Sequence, residues 1–293
     1  MLVFKEEESV EMSLSTFQVM LADAKKRKYA IGSFNAWDIY SAKNITRTAE
    51  KMSSPVIISL WQPELDFAGE KQLYELCISF AASVSVPVAI FIDHAEDVQS
   101  VERAIKLGAT SVMIDGSHLP LDENISLTSH AAEIAHKAGV SIEGEIGVLG
   151  EEEGSEPDEA SYTNVHESEV FVRSTGIDAL AIAIGNAHGF YRKEPKLDLD
   201  RLSAICSRVD VPLVLHGGSG IPSDDIQEAI ERGITKVNIG VEPRSAFMAG
   251  LRASLTALDD NEKFPHILFR RALENHAQLI QEKIVLLRSE GKA

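Results

Sequence analysis

The chain has 293 residues and a mass of 32.0 kDa, the size of one large domain or two average ones. Hydrophobic residues make up 44% and charged residues 25%, a balance that excludes disordered, collagen-like and coiled-coil chains. Lys and Arg total 28 against 45 Asp and Glu, and the resulting net charge of −17 argues against a nucleic-acid partner.

The composition also argues against a membrane protein and a disulfide-rich one. The longest apolar run, Ala179–Ile184, is much shorter than the roughly 20 residues that a membrane helix needs. Residues 1–8 are largely acidic and lack the basic-then-apolar order of a signal peptide. The two cysteines, Cys77 and Cys206, provide neither a disulfide framework nor a cysteine-based zinc site. We therefore expect a cytoplasmic protein with no membrane partner.

Short runs rich in β-branched residues recur along the chain, and their starts lie 24 to 39 residues apart, the length of one βα unit. Several of these runs are apolar on both faces, as expected for a parallel sheet covered by helices. The eight predicted strands are Ala30–Asn35, Pro55–Trp61, Pro87–Asp93, Ser111–Asp115, Val140–Glu145, Ala179–Ile184, Pro212–His216 and Lys236–Gly240.

Helix signals fill the gaps between these strands. The segment Asp97–Gly108 has apolar residues at helical spacing and ends on Gly, and Ser223–Gly233 begins with a candidate N-cap serine. Eight alternating units without a break predict a single closed (β/α)8 TIM barrel. The alternative is a doubly wound open sheet with extra strands, which the absence of a Gly-x-Gly-x-x-Gly motif after the first strand disfavours.

The barrel core is expected over about residues 13–243, in a single domain that covers 1–293. Beyond it, Arg244–Leu258 and about His266–Arg288 are predicted as helices. A closed barrel does not need both of these additional helices. Residues 244–293 are therefore expected either to pack below the barrel or to form an oligomer contact.

Three of the nine histidines lie at the ends of predicted strands: His94 after the third, His188 after the sixth and His216 closing the seventh. Functional groups of a TIM barrel cluster at the C-terminal ends of its strands. Three neutral imidazoles that converge there form a zinc site with an open coordination position. A single histidine of this kind is more often a hydrogen-bonded packing residue, but the shared position of all three favours a metal site. The remaining histidines are expected at the surface or in packing: His118, His130, His136, His166, His266 and His276. Of these, His118 is ambiguous, because it lies just past the fourth predicted strand.

Carboxylates occupy the same predicted rim, at Asp93, Asp115, Glu143 and Glu145. Asp93 directly precedes His94, so along a regular strand the two side chains point to opposite faces. Asp93 reaches the site only where the strand ends and the chain turns, and there it would hold a proton for a substrate hydroxyl, provided that the enclosed site raises its pKa. For Asp115 and Glu145, a supporting role beside the metal and a plain salt bridge are equally open.

A glycine-rich corner, His216-Gly-Gly-Ser-Gly-Ile-Pro-Ser223, follows the seventh predicted strand, and Lys236–Gly240 ends the eighth. The loops after strands seven and eight are the usual phosphate site of a TIM barrel, where backbone N–H groups and a helix N-terminus bind the anion. The corner therefore predicts a phosphorylated substrate.

Together these segments resemble the class II, zinc-dependent ketose-bisphosphate aldolases, a family that includes fructose-bisphosphate and tagatose-bisphosphate aldolases. The likeness runs from about residue 13 to the C-terminus. The motifs that carry it, in chain order, are Asp93-His94, Gly144–Gly147, Ala187–Arg192, Leu213–Pro222 and Lys236–Asn238.

The resemblance implies that His94, His188 and His216 bind Zn²⁺ and that Asp93 is the acid/base at the C4 hydroxyl. By the same resemblance, Glu153 moves the C3 proton. Asp115 and Glu145 match carboxylates near an alternative metal position. Residues that match the dihydroxyacetone-phosphate end of the site or other substrate contacts are Asn35, Gly189, Arg192, Gly217, Gly218, Ser219, Asn238, Gly240 and Val241.

The resemblance further implies a Na⁺ or K⁺ ion held by backbone carbonyls, and a homodimer or homotetramer. Cleavage of a ketose leaves an ene-diolate, whose two oxygens and negative charge Zn²⁺ can stabilise. A Schiff-base lysine is then unnecessary, and none of the predicted strand ends carries one, since Lys236 begins its predicted strand.

Several positions depart from the family pattern, and they concern the substrate. The usual Ser-x-Gly after the second strand is Trp61-Gln-Pro63, and the usual Thr after the eighth is Val241. The usual Gly after Asp93-His94 is Ala95. In the loop after the fifth strand Gly-Gly is replaced by Gly-Glu, followed by Glu152 and Glu153, which leaves open which glutamate is catalytic.

A tryptophan near the expected distal phosphate removes a donor and fills space. The substrate is therefore expected to be a ketose 1-phosphate or modified sugar phosphate, the alternative being a fructose or tagatose bisphosphate. Two other functions fit a histidine-bearing barrel: a non-catalytic assembly subunit and a zinc-dependent hydrolase. The retained histidines argue against the first, and the phosphate corner against the second.

Overall fold

The computed structural model describes residues 13–149, 159–189, 191–258 and 264–293. Its strands pair in parallel in chain order and the eighth pairs with the first, so they form a closed barrel. The predicted (β/α)8 fold is confirmed, and the open-sheet alternative is wrong. The strands are β1 (Ile31–Asn35), β2 (Val56–Trp61), β3 (Val88–Ala95), β4 (Ser111–Ile114), β5 (Ser141–Ile146), β6 (Ala179–Ile182), β7 (Leu213–Leu215) and β8 (Ile234–Ile239).

Helices alternate with these strands, as local sequence signals predict. Asp97 caps α5 by accepting a hydrogen bond from the Ser100 N–H, and Gly108 ends that helix in the left-handed conformation. The expected N-cap role of Ser223 is wrong, because Pro222 holds the cap position and Ser223 is the first helical residue. The first nine helices are α1 (Phe17–Arg27), α2 (Ile39–Lys51), α3 (Gln62–Ala68), α4 (Glu70–Ala81), α5 (Val98–Leu107), α6 (Leu121–Lys137), α7 (Val165–Thr175), α8 (Leu199–Cys206) and α9 (Ser223–Glu231).

The barrel interior is apolar at one end and polar at the other. At the N-terminal end, α1 closes the barrel, and Phe17 packs edge-on against Phe91 of β3 with ring centroids 5.9 Å apart. At the C-terminal end the inward-facing positions are polar, among them Asn35, Asp93 and Asn238. Because the apolar end is filled, the polar end is the one open to a ligand.

The chain ends in two long helices, α10 (Val241–Ala257) and α11 (Pro265–Leu286). They pack against each other, and α11 also contacts α2 and α9. These contacts place α11 beside the strands, between α9 and α2, and not below the barrel, which was one of the two expected placements. The other, an oligomer contact, stays a prediction. In the part of the chain that the structure describes, none of the helices combines the length and apolarity needed to cross a bilayer.

Candidate active site

A cavity of about 870 Å³ opens at the C-terminal ends of the strands. Side chains from several strand ends and from the loops that follow them line it. This is the face on which TIM barrels carry their catalytic groups. Among the described residues that line the cavity, Arg244 is the one Arg or Lys side chain, whereas the lining carboxylates are Asp93, Glu96, Asp97, Asp115 and Glu145.

The three predicted imidazoles meet in this cavity. His94, His188 and His216 each place a ring nitrogen within 4.8 Å of the others. The Nε2 atom of His94 and the Nδ1 atom of His216 are 3.0 Å apart. Tetrahedral zinc with Zn–N bonds of about 2.0–2.1 Å separates its ligand nitrogens by about 3.3 Å. The donor set and its spacing therefore fit a zinc ion.

An irregularity in β3 brings two consecutive residues to the same site. The β3–β4 register shifts between Ile92 and Ala95, and His94 has a left-handed backbone with φ of 51°. Such a φ is uncommon outside Gly and recurs at functional sites. As a result, His94 Nε2 lies 3.8 Å from Asp93 Oδ1, although a regular strand would direct the two side chains apart.

Two further carboxylates adjoin His94 on its other side. Asp115 Oδ2 lies 2.7 Å from His94 Nδ1, and this contact leaves Nε2 as the ring nitrogen that faces the cluster. Glu145 is buried, and its Oε2 atom has no hydrogen-bond partner in the described structure. His94, Asp115 and Glu145 form a second group whose ligand atoms lie within 4.8 Å of one another, where the alternative metal position is expected.

His216 is held from behind by a buried ion pair. Its Nε2 atom lies 2.8 Å from Glu143 Oε1, and Lys236 Nζ donates to both Glu143 oxygens at 2.8 and 3.1 Å. All three side chains are buried. The expectation that Lys236 begins its strand is wrong, because β8 starts at Ile234 and Lys236 points into the barrel. Its ammonium group is bound to Glu143.

The imidazoles differ in charge because their neighbours differ. Burial and the charge of His94 lower the pKa of His188 to about 4, and burial foremost holds the pKa of His216 well below its usual range. Both rings are therefore neutral, as metal ligands must be. Burial also disfavours a charge on His94, but Asp93, Asp115 and Glu145 outweigh it and raise its pKa to about 10. These carboxylates favour positive charge at the cluster.

Asp93 is oriented by side chains from β2 and β8. Its Oδ2 accepts a hydrogen bond from Ser59 Oγ at 2.9 Å, and its Oδ1 accepts one from Asn238 Nδ2 at 3.1 Å. Burial tends to raise the pKa of Asp93, but His94, His216 and the other neighbours lower it below the usual range. The expected raised pKa is therefore wrong, because these neighbours outweigh burial. The group is an ionised carboxylate at neutral pH, able to accept a proton.

The glycine-rich corner lies beside the start of α10. Ser219 Oγ accepts a hydrogen bond from the N–H of Glu242, so the corner and the first turn of the helix are in contact. Ser219, Gly240 and Val241 all line the cavity. The N–H of Gly218 donates to the Asn238 carbonyl, so it supports the barrel and is not available to a phosphate.

The corner also packs tightly against the loop that carries His188. Gly217 has φ of +61°, and a Cβ there would lie 2.0 Å from the carbonyl oxygen of Ala187. Tyr191 joins the two loops, since its hydroxyl donates to the Gly217 carbonyl and accepts from the Ala187 N–H, both at 2.9 Å. Gly217 therefore fixes the loop that positions His188.

The structure brings together most of the predicted site. Arg192 is exposed and does not line the cavity. The predicted catalytic Glu153 and its rival Glu152 lie outside the described residues. The cavity-lining residues that were predicted to contact the substrate are Asn35, Gly189, Gly217, Ser219, Asn238, Gly240 and Val241.

His118, which the sequence left ambiguous, lines the cavity. The side chains near the cavity that sequence reasoning missed include Ser59, Arg244 and Glu64. Ser59 lies two residues before Trp61 and so shares its face of β2, a spacing that could have identified it. Arg244 lies four residues after Gly240, one helical turn into α10. Glu64, in the first turn of α3, forms an ion pair with Arg244, and no local signal indicates this pairing.

Residues 15–292 match the family described as fructose-bisphosphate aldolase class-II. The chain belongs to the class II fructose-bisphosphate aldolase family. The YdjI aldolase of Escherichia coli K12 is 34% identical over 96% of this chain and 99% of its own, with a TM-score of 0.87. The fructose-bisphosphate aldolase of Campylobacter jejuni shares the fold, with 22% identity over 96% of this chain and 97% of its own and a TM-score of 0.81.

Membership of this family identifies the protein as an aldolase, a lyase that breaks carbon–carbon bonds. The predicted resemblance is confirmed. The alternatives of a non-catalytic assembly subunit and a zinc hydrolase have no support in these relationships.

Proposed function

We propose that the protein is a Zn²⁺-dependent aldolase that reversibly cleaves a phosphorylated ketose into dihydroxyacetone phosphate and an aldehyde. The observation that carries this proposal is the convergence of three imidazole nitrogens within 4.8 Å beside an ionised Asp93. The same cavity ends at a glycine-rich corner suited to a phosphate.

His94, His188 and His216 would hold the ion, and its fourth coordination position would face the cavity. When bound, the ion supplies a positive charge that stabilises the carbanion left by carbon–carbon cleavage. The carboxylates around His94 support this assignment, because they already favour positive charge at the cluster. Asp115 and Glu143 hold the outer ring nitrogens of two of these ligands, an arrangement that fixes ring orientation.

Asp93 would remove the proton of the C4 hydroxyl as the C3–C4 bond breaks, and would return it in the aldol direction. Its hydrogen bonds to Ser59 and Asn238 keep the carboxylate aimed at the cavity. General acid–base catalysis of this kind contributes about 10²- to 10⁴-fold to the rate. The role of Glu153 in moving the C3 proton remains a prediction from the family.

The phosphate of the substrate would lie at Ser219 and the first turn of α10, where backbone N–H groups and the helix dipole favour an anion. Because the net charge of the chain is −17, the protein as a whole repels a phosphate. Phosphate binding therefore depends on these local groups. Binding of a Na⁺ or K⁺ ion by backbone carbonyls at the phosphate end of the site also remains a prediction.

We propose a ketose 1-phosphate, or a sugar phosphate modified at its far end, as the substrate. Trp61 lines the cavity where the family usually places a serine near the distal phosphate. We also propose a homodimer or homotetramer, which exposed apolar residues on and before the C-terminal helices, Met248, Leu255 and Phe264, support.

The proposal is tested by assaying release of dihydroxyacetone phosphate from fructose 1-phosphate, fructose 1,6-bisphosphate and tagatose 1,6-bisphosphate. We expect cleavage by the zinc-loaded chain, loss of activity with a chelator and recovery with added Zn²⁺. Activity that survives complete removal of the metal, or an imine trapped on a lysine by borohydride, would contradict the mechanism. A strong preference for either bisphosphate would contradict the proposed substrate but not the reaction.

A further inference from the structure

Trp61 stands at the mouth of the cavity beside Asp93. Residues two apart in a strand face the same side, so Trp61 follows Ser59, which donates to Asp93, on the inner face of β2. The β2–β3 register also places Trp61 opposite Asp93. The indole is 43% exposed, and it presents an apolar ring to the open part of the cavity.

Arg244, from α10, lies against this ring and is already occupied by a carboxylate. Its Nε and Nη2 atoms both donate to Glu64 Oε1, at 2.8 and 2.5 Å. The guanidinium carbon lies 5.8 Å from the centroid of the Trp61 ring. The side chain of Glu64 is only 12% exposed, so water screens this ion pair weakly. Glu64 thus already pairs with the cation that lines the cavity.

The orientation proposed for the substrate would place its carbons beyond C4, which we call its far end, at Trp61 and Arg244. Under the proposed function, a phosphate on C1 would lie at the corner between β7 and β8, and the C4 hydroxyl would lie at Asp93 on β3. The carbons beyond C4 therefore extend past Asp93 toward Trp61 and Arg244. A second phosphate there would meet an arginine already paired with Glu64 and the carboxylates of Glu96 and Asp97, which line the same cavity.

We infer that Trp61 and Glu64 determine specificity, so that the aldolase selects a ketose 1-phosphate whose far end is an uncharged polyhydroxy chain. The inference rests on the proposed function, because it assigns the far end of that site. The sugar chain packs its C–H face on the indole and accepts a hydrogen bond from the Nη1 group of Arg244. Glu64 disfavours a second phosphate by keeping Arg244 paired.

The test compares wild type with Glu64→Gln, which keeps the size of the side chain and removes its charge. Binding of fructose 1-phosphate and of fructose 1,6-bisphosphate is measured by calorimetry on the chelated full chain, where no turnover occurs. We expect the variant to bind the bisphosphate at least tenfold more tightly than wild type. Its affinity for the monophosphate is expected to change by less than about twofold. The double variant Glu64→Gln/Arg244→Gln should lose the gain.

Glu96→Gln is the matched control, since it removes one charge from the same cavity without releasing Arg244. An equal gain in Glu96→Gln means that general cavity charge decides, and it overturns the inference. The inference is also overturned if Glu64→Gln keeps the wild-type preference between the two sugars, whether both bind as before or neither binds. An equal gain for both sugars also overturns it, because Arg244 then contacts the C1 phosphate.

Trp61→Ser is a separate variant that keeps both members of the ion pair, Arg244 and Glu64, and removes the ring beside them. It should weaken binding of fructose 1-phosphate at least fivefold, and unchanged binding contradicts stacking on the indole. Turnover by the zinc-loaded wild type is measured separately. Absence of turnover together with the expected change in binding refutes the proposed function and leaves the specificity assignment standing.

Discussion

Lys236 Nζ lies 2.8 Å from Glu143 Oε2 inside the barrel, and neither side chain is exposed to solvent. Lys236 also lies 4.1 Å from the centroid of the Phe91 ring. Glu143 in turn contacts His216 Nε2, so the ion pair determines which ring nitrogen of His216 is free to face the other imidazoles. A buried pair of this kind costs desolvation energy, and its Glu143 contacts His216, one of the three candidate metal ligands.

Glu143→Gln is predicted to weaken zinc binding about 10- to 100-fold, because loss of a partner behind a metal-bound histidine has effects of this size. The measurement is competition for zinc with a chromophoric chelator, which does not depend on catalysis. Glu133→Gln, at an exposed position on α6, is the control and should bind zinc like wild type. A folded Glu143→Gln protein with wild-type affinity would show that the ion pair serves stability alone.

Asp93→Asn is predicted to lower kcat by about 10²- to 10⁴-fold, the range for loss of a general acid–base group. The amide keeps the size of the side chain but cannot take up the C4 proton. Zinc content, measured by mass spectrometry of the purified protein, should stay at the wild-type level. Ser59→Ala, which removes one hydrogen bond to Asp93, should cost about tenfold. Loss of zinc from Asp93→Asn would instead place Asp93 in the metal site.

Gly217→Ala is predicted to destabilise the protein and weaken zinc binding, because its Cβ would lie 2.0 Å from the Ala187 carbonyl oxygen and displace the loop of His188. Gly176→Ala is the matched control. Gly176 has φ of +69°, and a Cβ there meets nothing within 4 Å. The control should therefore lose only about 1 kcal/mol of unfolding free energy to backbone strain. Urea unfolding and zinc competition measure both effects, and equal losses in the two variants would contradict this role of Gly217.

His276 is predicted to make the folded state less stable in mild acid. It is buried, its Nδ1 lies 2.9 Å from Asn44 Nδ2, and burial lowers its pKa to about 4. An unfolded chain with the usual pKa of about 6.5 binds a proton that the folded chain does not. The contribution of His276 is therefore complete above pH 6.5 and declines as the pH falls from 6.5 to 4.

By this linkage, His276 alone lowers the unfolding free energy by about 2 kcal/mol between pH 7.5 and pH 5. Urea unfolding at the two pH values measures the loss. The loss should be smaller by about that amount in His276→Gln, in which the other titrating groups remain. Equal losses in the two proteins would mean that His276 becomes protonated without unfolding.

The barrel and the cluster of imidazoles were both predictable from the sequence. The βα spacing identified all eight strands, and parallel strands joined by helices place their C-terminal ends on one face. Three histidines that follow three strands must then lie on that face. The glycine-rich corner after β7 was predictable for the same reason, since its position in the topology, and not its composition, indicates a phosphate.

Only the tertiary structure showed how Asp93 and His94 share one site and how Glu64 occupies Arg244. The first depends on an irregularity in the β3–β4 register, and the second joins residues 180 positions apart. Periodicity along a strand or helix specifies the face on which a side chain lies. Contacts between distant segments depend on backbone geometry and close packing throughout the barrel, which no local pattern of residues encodes.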